Sequence, residues 1–516
     1  MRRIKNRRGT TVVAVLTLVA TALVPTASAS AQASAKTVTI KVVGIDRTGA
    51  QVAVLASVVP PHGNAIASAG STYHLKPGPY FISGDVPTLS SDPNATIQTI
   101  VARKVDVRAG GTIKLDSRGG KPVSVWLNGK ELSPDAGGSL QAEACVADGH
   151  GISAAYLNGR IYVKPTRTAG VNFIWAWSSG PAAGRHYDLT GLTKNSLPAH
   201  PVFRVRTAQL VKTVIQVKAG TIPGTSGNLA TSSELNTLCT MNGYQQPLTV
   251  PSSVTVYRSP ALWSSQVSTR LGSHECGFDS VYTQEKAGRH YTVTISGAAR
   301  GPYAAVPFVN DNKLSYDPQF QFVAPAFQSF DNCFKSSVSL ARGGHIVARR
   351  SGGIFSLFKA AVHPGRWYVL TTDAHQVLKS ANLTRLLSPR TTLAWRFKLA
   401  KGFLGAVPVA VTSLVPQGLD MNNRAAPGSK TTVRASFSQG KYALPPKPDV
   451  PVRSFTVQAS FNDGKTWHGV PVVKHKGFWT FVVPNPSSGF VTLRTVTVNV
   501  HGNGSTETIY RAYGIR

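Results

Sequence analysis

Short runs of β-branched and apolar residues, broken every few positions by Gly, Pro, Asn or Asp, make up most of this chain. "TVTIKVVGI", "SVTVYRS", "YTVTIS" and "FVTLRTVTVNV" either alternate apolar with polar residues or run continuously β-branched. Side chains of a strand point in turn to its two faces, so such runs predict half-buried and fully buried strands. Helical 3.6-residue periodicity is scarce. The 47 Gly and 33 Pro are spread evenly, which gives frequent turns and short linkers. The predicted fold class is therefore all-β, arranged as tandem β-sandwich domains.

The first residues break this pattern. "RRIKNRR" is followed by "TVVAVLTLVATALV" and by the small-residue run "ASASAQASA", the charged, apolar and cleavable order of a secretory signal peptide. Residues 1–35 are assigned to it, with the mature chain starting between Ser30 and Lys36. No later segment reaches the roughly 18 apolar residues of a spanning helix, so the mature protein is expected to be released without a membrane span. About 480 mature residues suit several domains, each able to bury a core.

Export changes the meaning of the cysteines. Cys145, Cys239, Cys276 and Cys333 lie in the middle third, and an even number in an exported chain reads as two disulfides rather than as metal ligands. Three pairings are open; the sequential one, Cys145 with Cys239 and Cys276 with Cys333, is favoured. No cofactor is expected.

Charge points to a partner. Of 55 Lys and Arg the signal peptide carries five, which leaves 50 basic against 22 acidic residues. From Arg342 onward there are 23 basic and 5 acidic residues, and between Arg342 and Lys401 the single acid is Asp373. A field of one sign on that scale draws in polyanions. Candidate contacts are Arg342, Arg349, Arg350, Lys359, Arg366, Arg396, Lys398 and Lys401. Arg349 and Arg350, flanked by "SGG", are expected in a loop, and Trp367, Tyr368 and Trp395 are expected in the core. A generally basic, solvated surface without a specific partner is the competing reading.

A weak repeat runs through the chain. "AGRHYDLTG", "AGRHYTVTI" and "PGRWYVLTT" share Gly-Arg-aromatic-Tyr-x-x-Thr, each after a turn and opening a strand. Tyr187, Tyr291 and Tyr368 are expected to pack inward while Arg185, Arg289 and Arg366 cover the rim.

Two constellations look catalytic. "SFNDGKTWHGV" (Ser460 to Val470) has the Asp-box spacing of sialidases, but it occurs once and Asp and Glu are scarce around it, so paired glycosidase carboxylates are hard to assemble. Asn462, Asp463 and Gly464 instead suit a tight hairpin, with Phe461 and Trp467 meeting across it. Asp46, His150 and Ser226 follow the order of subtilisin-like triads. The serine, however, is followed by "GNLATSS", read as a loop rather than a helix, and "DGHGISAAYLNGRIYV" reads as turn and hairpin. No catalytic and no metal-binding residues are assigned.

The tail carries a resemblance. "VRSFTVQASFNDGKTWHGVPVV" and "FVTLRTVTVNVHGNGSTETIYRAYGIR", together with "TLAWRFKLAKGFLGAVPVAVTSLVPQGLDMNNRAAPGS" upstream, resemble the final domain of large secreted subtilisin-like serine proteases of high-GC Gram-positive bacteria. "TVTIKVVGIDRTGAQV", "YHLKPGPYFISGDVPT" and "GTIKLDSRGGKPVSV" are similar to the carboxypeptidase-regulatory type of β domain in those enzymes. The resemblance covers most of 36–516, more weakly from about 125 to 390, and does not include the peptidase domain. It implies a regulatory-type sandwich at 36–120, a disulfide-bearing β region of two or three modules at 121–390, and an Ig-like sandwich at 391–516.

The function expected is a secreted, non-catalytic protein that binds or scaffolds at anionic extracellular or cell-wall polymers. Its partner would be a wall polymer or polysaccharide, with nucleic acid the last-ranked target outside the cell. The alternatives are a partner or inhibitor of a separately encoded secreted protease, and a divergent hydrolase with an unrecognised site.

Overall fold

The computed structural model describes residues 37–516 except 62–64, 67–69, 91–96, 133–137, 147–150, 157–159, 181–184, 221–224, 237–238, 272–273, 303–305, 319–327, 332, 354–355, 378–385 and 439–450. The expected signal peptide and His150 lie outside the described residues. The architecture is all-β, a series of packed sheets interrupted by a 3-10 turn at Thr207–Gln209. No helix among the described residues is long and apolar enough to cross a membrane.

Val38–Ile45 begins the fold by turning Ile40 and Val42 inward. It pairs antiparallel with Gln51–Val52 and Thr72–Leu75, and parallel with Gly111–Asp116. A second sheet of Leu55–Val59, Gly78–Thr88 and Ile97–Val107 closes the sandwich over Tyr73, Leu75, Ile82, Val86 and Leu115. This second sheet continues past residue 120. Ile97–Val107 takes Arg160–Val163 as a parallel neighbour. Phe81, Ile100 and Ala102 share a core with Leu140, Phe173 and Trp175. Gly78–Thr88 is buried on both faces for most of its length, so each face serves a different core.

The next layer is a seven-stranded sheet that runs from Gly151–Tyr156 to His290–Ile295. Its strand Val171–Ser178, "VNFIWAWS", is buried at all eight positions, as a strand covered on both faces requires. Phe173, Trp175 and Trp177 face the N-terminal sandwich, while Ile174 and Ala176 pack with Cys145 and Met241. A five-stranded sheet that includes Ser226–Asn236, Leu262–Leu271 and His274–Gln284 covers the other side around Ile215, Val256 and Val267. Ser226 thus opens a strand, not the loop expected from its polar surroundings. Gly151–Tyr156 and Arg160–Val163 enter different sheets and form no hairpin with each other.

Cys276 is bonded to Cys333, which ties the five-stranded sheet to the residue before Phe334–Arg342. Cys145 is also disulfide-bonded, and the side chain of Cys239 lies outside the described residues.

The C-terminal part is organised by one nine-stranded sheet. Its order is His345–Gly352, Phe334–Arg342, Trp367–Gln376, Arg390–Lys398, Gly504–Ile515, Phe490–Asn499, Val452–Ser460 and His468–Val470, with Arg424–Ala425 beside Gly504–Ile515. The first four strands pack on a small sheet around Leu340, Leu370, Trp395 and Phe397. The others pack on a second small sheet around Val433, Phe455, Phe481 and Tyr513. Arg390–Lys398 hydrogen-bonds to both halves, so the sheet is continuous through 390/391. The tandem sandwiches share sheets instead of hanging on linkers.

The turn around Asn423 bolts this part to the middle layer. Asn423 is fully buried; its Oδ1 accepts the Ala298 N–H (3.1 Å) and its Nδ2 donates to the Ser296 carbonyl (3.0 Å). Lys218 Nζ donates to the Leu419 carbonyl at 2.9 Å.

Candidate anion-binding surface

Along Trp367–Gln376 the even-numbered residues are buried and the odd-numbered ones turn outward, which places Tyr368 and Leu370 in the core and leaves Trp367 38% exposed. On Arg390–Lys398 the outward set is even-numbered, with Lys398 opposite Trp367 and Arg396 opposite Val369. Arg396 reaches diagonally and sets its guanidinium 3.8 Å from the Trp367 ring centre. Such stacking fixes the guanidinium plane while its N–H edges stay available to an anion.

Other basic residues collect at the same place. Arg342 ends its strand opposite Tyr368, Arg366 directly precedes Trp367, Lys398 ends its strand, and Lys401 follows in the turn; all are exposed. Five basic side chains and one exposed indole therefore share one end of three adjacent strands. Asp373 does not neutralise them. It lies farther along its strand and is held by Arg390, with Nη2–Oδ2 at 2.5 Å and Nε–Oδ1 at 2.9 Å.

Three of the eight candidates fall elsewhere. Arg349 and Arg350 are in the strand His345–Gly352, opposite Ser339 and Val338, and not in a loop. An edge strand exposed on both sides forms without the apolar alternation that would mark it in the sequence. As consecutive strand residues they point to opposite faces, and Arg350 Nη1 donates to the Leu357 carbonyl at 3.1 Å. Lys359 belongs to the opposing sheet, opposite Ser315. Of the three aromatics expected in the core, Tyr368 and Trp395 are there, and the Trp395 indole donates to the Ala410 carbonyl at 3.1 Å. Trp367 is the exception. The parity of "WYVLTT" is the signal that distinguishes it from its neighbour.

The "SFNDGKTWHGV" segment is a tight turn held by its own side chains. Ser460 Oγ accepts the Gly464 N–H and Asn462 Oδ1 accepts the Thr466 N–H, both at 2.9 Å. Asp463 (φ 55°) and Gly464 (φ 86°) occupy the left-handed region, where a side chain at Gly464 would also press on Trp467 and Tyr510. Trp467 is half-buried on the outer face of the sheet, 3.8 Å under the Arg494 guanidinium. Phe461 stacks on His468 rather than on Trp467, with ring centres 5.9 Å apart.

Two of the three repeated Gly-Arg-aromatic-Tyr segments share a lock. The Tyr291 hydroxyl accepts the Lys286 N–H (3.1 Å) and the Tyr368 hydroxyl accepts the His363 N–H (2.9 Å), five residues upstream in both cases. Arg185, Arg289 and Arg366 are exposed but lie on two different sheets, so the structure does not gather them into one site.

Asp46 serves its own turn. Its Oδ1 accepts from Thr48 N–H (2.9 Å), the Thr48 hydroxyl (2.7 Å) and Ala50 N–H (2.8 Å), and the Thr48 hydroxyl in particular lowers its pKa. Among the described residues no group of three or more His, Cys, Asp and Glu is placed to hold a metal ion. Among the buried carboxyls that the sequence did not single out, burial pushes Glu507 up to about 8 and Glu143 up to about 7. Each is an acid at an inward strand position, which is the pattern that could have revealed them.

No protein-family model and no curated protein matches this chain. Among solved structures, the Bacillus anthracis TIE protein aligns at 7% identity over 50% of this chain and 50% of that one, with a TM-score of 0.12. The chain thus spans about half the length of that protein. The FN1–FN3 domains of chicken CNTN1 align at 11% identity over 57% of this chain and 99% of theirs, TM-score 0.14. Trypsin-activated alpha-2-macroglobulin from Escherichia coli aligns at 10% identity over 92% of this chain and 41% of its own, TM-score 0.16. Likeness this low assigns no activity or ligand.

Proposed function

We propose that this is a secreted, non-catalytic β protein that binds anionic polymers outside the cell, with cell-wall polymers and anionic polysaccharides as the targets. The observation that carries the reading is the stacked Arg396 with Lys398 beside it on the outer face, and Arg342, Arg366 and Lys401 at the same end of the strands, while the nearest acid along the chain from Arg396, Asp373, is consumed by Arg390. A pre-oriented guanidinium suits bidentate capture of phosphate or carboxylate groups, and the lysines add point charges. The leader-like N-terminus, the disulfide Cys276–Cys333 and the resemblance to accessory regions of secreted proteases support an extracellular setting.

The test is retention of the purified mature chain on isolated Gram-positive cell walls. Arg396→Glu with Lys398→Glu should release it, whereas Lys114→Glu with Lys130→Glu, the same charge change on exposed N-terminal positions, should not. Equal loss in both variants would reduce the reading to non-specific attraction.

A further inference from the structure

The strand His345–Gly352 is an edge: among the described residues it pairs with Phe334–Arg342 alone. None of its eight residues is buried. Ile346 is 52% and Val347 47% exposed; Ile346 stands opposite Ala341 and Ala348 opposite Leu340, so Val347 is the extra residue of a bulge between them. The free edge of the strand thus runs past two exposed apolar side chains beside the Gly343–Gly344 turn, with its regular row of backbone donors and acceptors starting beyond the bulge at Ala348. Edges of this kind pair with further strands unless something blocks them.

What blocks one class of partner here is charge. Arg349 follows on one face and Arg350 on the other, with Arg342 and His345 across the turn, and no acid occurs from Phe334 to Arg366. A second copy of this chain pairing through the same edge would set these arginines against each other, and like charges in cross-strand positions are destabilising. An acidic strand meets the opposite sign on both faces at once.

We propose that His345–Gly352 is a docking edge that takes an extended acidic segment of another protein as an added strand. Strand addition draws its affinity from main-chain hydrogen bonds and its selectivity from alternate side chains. Ile346 and Val347 call for apolar residues opposite them, and Arg349 and Arg350 call for two adjacent acids, since consecutive positions cover both faces. The favoured ligand therefore has apolar residues next to an acidic pair. Arg396 and Lys398 lie three strands away in the sheet, and of the polymer-binding residues only Arg342, on the adjoining strand, borders this edge.

The experiment uses the mature chain and two labelled synthetic peptides of the pattern Thr-Glu-Glu-Thr-Val-Val-Thr, which in antiparallel addition sets the acids opposite Arg349 and Arg350 and the valines opposite Ile346 and Val347, one with the glutamates and one with lysines in their place. The Glu-Glu peptide should bind about tenfold more tightly, from two favourable against two unfavourable cross-strand pairs. Arg349→Glu with Arg350→Glu should reverse that preference, a gain of binding that misfolding cannot imitate. Amide exchange should slow at 345–349 when the Glu-Glu peptide is bound. Equal binding of the two peptides, an unchanged preference in the reversed variant, or protection confined to the Arg396–Lys401 end would each overturn the proposal. The last outcome would place the acidic peptide on the polymer surface instead.

Discussion

Arg511 clasps Asp463 with its Nε 3.1 Å and 3.2 Å from the two carboxylate oxygens and its Nη2 2.8 Å from Oδ2. The two residues are 48 positions apart, one in the Asp-Gly-x-Thr-Trp turn and the other in the closing Arg-Ala-Tyr-Gly. The aspartate that makes the segment resemble an Asp-box is thus occupied in fastening the hairpin to the last strand, beside the Phe490 ring under Arg511.

That pairing sets the first expected outcome. The pair is partly solvated, so Asp463→Ala should cost only about 1 kcal/mol. Trp467→Ala should cost roughly 1 to 3 kcal/mol, less than a fully buried tryptophan, because the ring is half-buried and covered by Arg494. Chemical denaturation of each variant checks both. A Trp467→Ala protein as stable as wild type but unable to hold a sugar ligand would restore a binding role to the hairpin.

The repeated tyrosines allow a matched comparison. Tyr291→Phe and Tyr368→Phe each remove one acceptor and strand a backbone N–H, of Lys286 and His363 respectively. Tyr368 is buried whereas Tyr291 and Lys286 are more exposed, so water can replace the lost partner more easily at Lys286. Tyr368→Phe should cost about 1 to 2 kcal/mol and Tyr291→Phe less. Denaturant midpoints that rank the two the other way would deny the hydroxyl its role.

The strands themselves were legible in the sequence: "SVTVYRS" falls on Ser252–Arg258, "YTVTIS" on His290–Ile295 and "FVTLRTVTVNV" on Phe490–Asn499. Which strands become neighbours was not. The run of apolar residues marks Ile97–Val107 as a strand, buried on both faces from Thr99 to Ala102, but nothing local says that Arg160–Val163 joins it in parallel. The same holds for Arg390–Lys398, whose two edges bond to different sandwiches. Of the candidate site, charge density located the region and strand parity located Trp367. The separation of Arg349 from Arg350 needed the edge strand, which polar sequence disguises as a loop.

Glu507 predicts how stability depends on pH. It is fully buried between the C-terminal sheets, with one oxygen accepting the Thr412 N–H at 3.3 Å, and burial raises its pKa from 4.5 to about 8. In the folded protein it keeps its proton where the unfolded chain has lost it, so between these two values the unfolded state binds fewer protons. Stability is therefore fullest below about pH 4.5 and falls as pH rises towards about 8, by roughly 4 to 5 kcal/mol from this group. Glu507→Gln should flatten that slope in urea melts compared across the range. An identical slope in the variant would assign the effect to other groups.

Reducing the Cys276–Cys333 disulfide, which closes a separation of 57 residues, should cost on the order of 2 to 5 kcal/mol. The loss should appear where the five-stranded sheet meets Phe334–Arg342, while the core around Phe455, Phe481 and Tyr513 stays folded. Native-state thiol titration should find no reactive cysteine, and amide exchange after reduction should locate the loosened strands. Early exchange in the Phe455 core would show that the bridge supports the whole C-terminal part.

The stacked Arg396 separates charge from geometry in polymer binding. If anionic groups are captured by ion release, log affinity falls linearly with log salt, with a slope set by the number of neutralised charges. Arg396→Glu with Lys398→Glu should lower affinity and make the slope shallower by roughly 2. Trp367→Ala removes no charge, but frees a guanidinium that the indole holds at 3.8 Å. It should therefore weaken binding about two- to fivefold with the slope unchanged. Arg349→Glu with Arg350→Glu should do less than the Arg396 and Lys398 reversal, because the two side chains point to opposite faces and only Arg349 shares the outer face of the cluster. If all three variants lost affinity in proportion to charge alone, with Trp367→Ala indistinguishable from wild type, attraction would be spread over the basic surface and the cluster would have no special part in it.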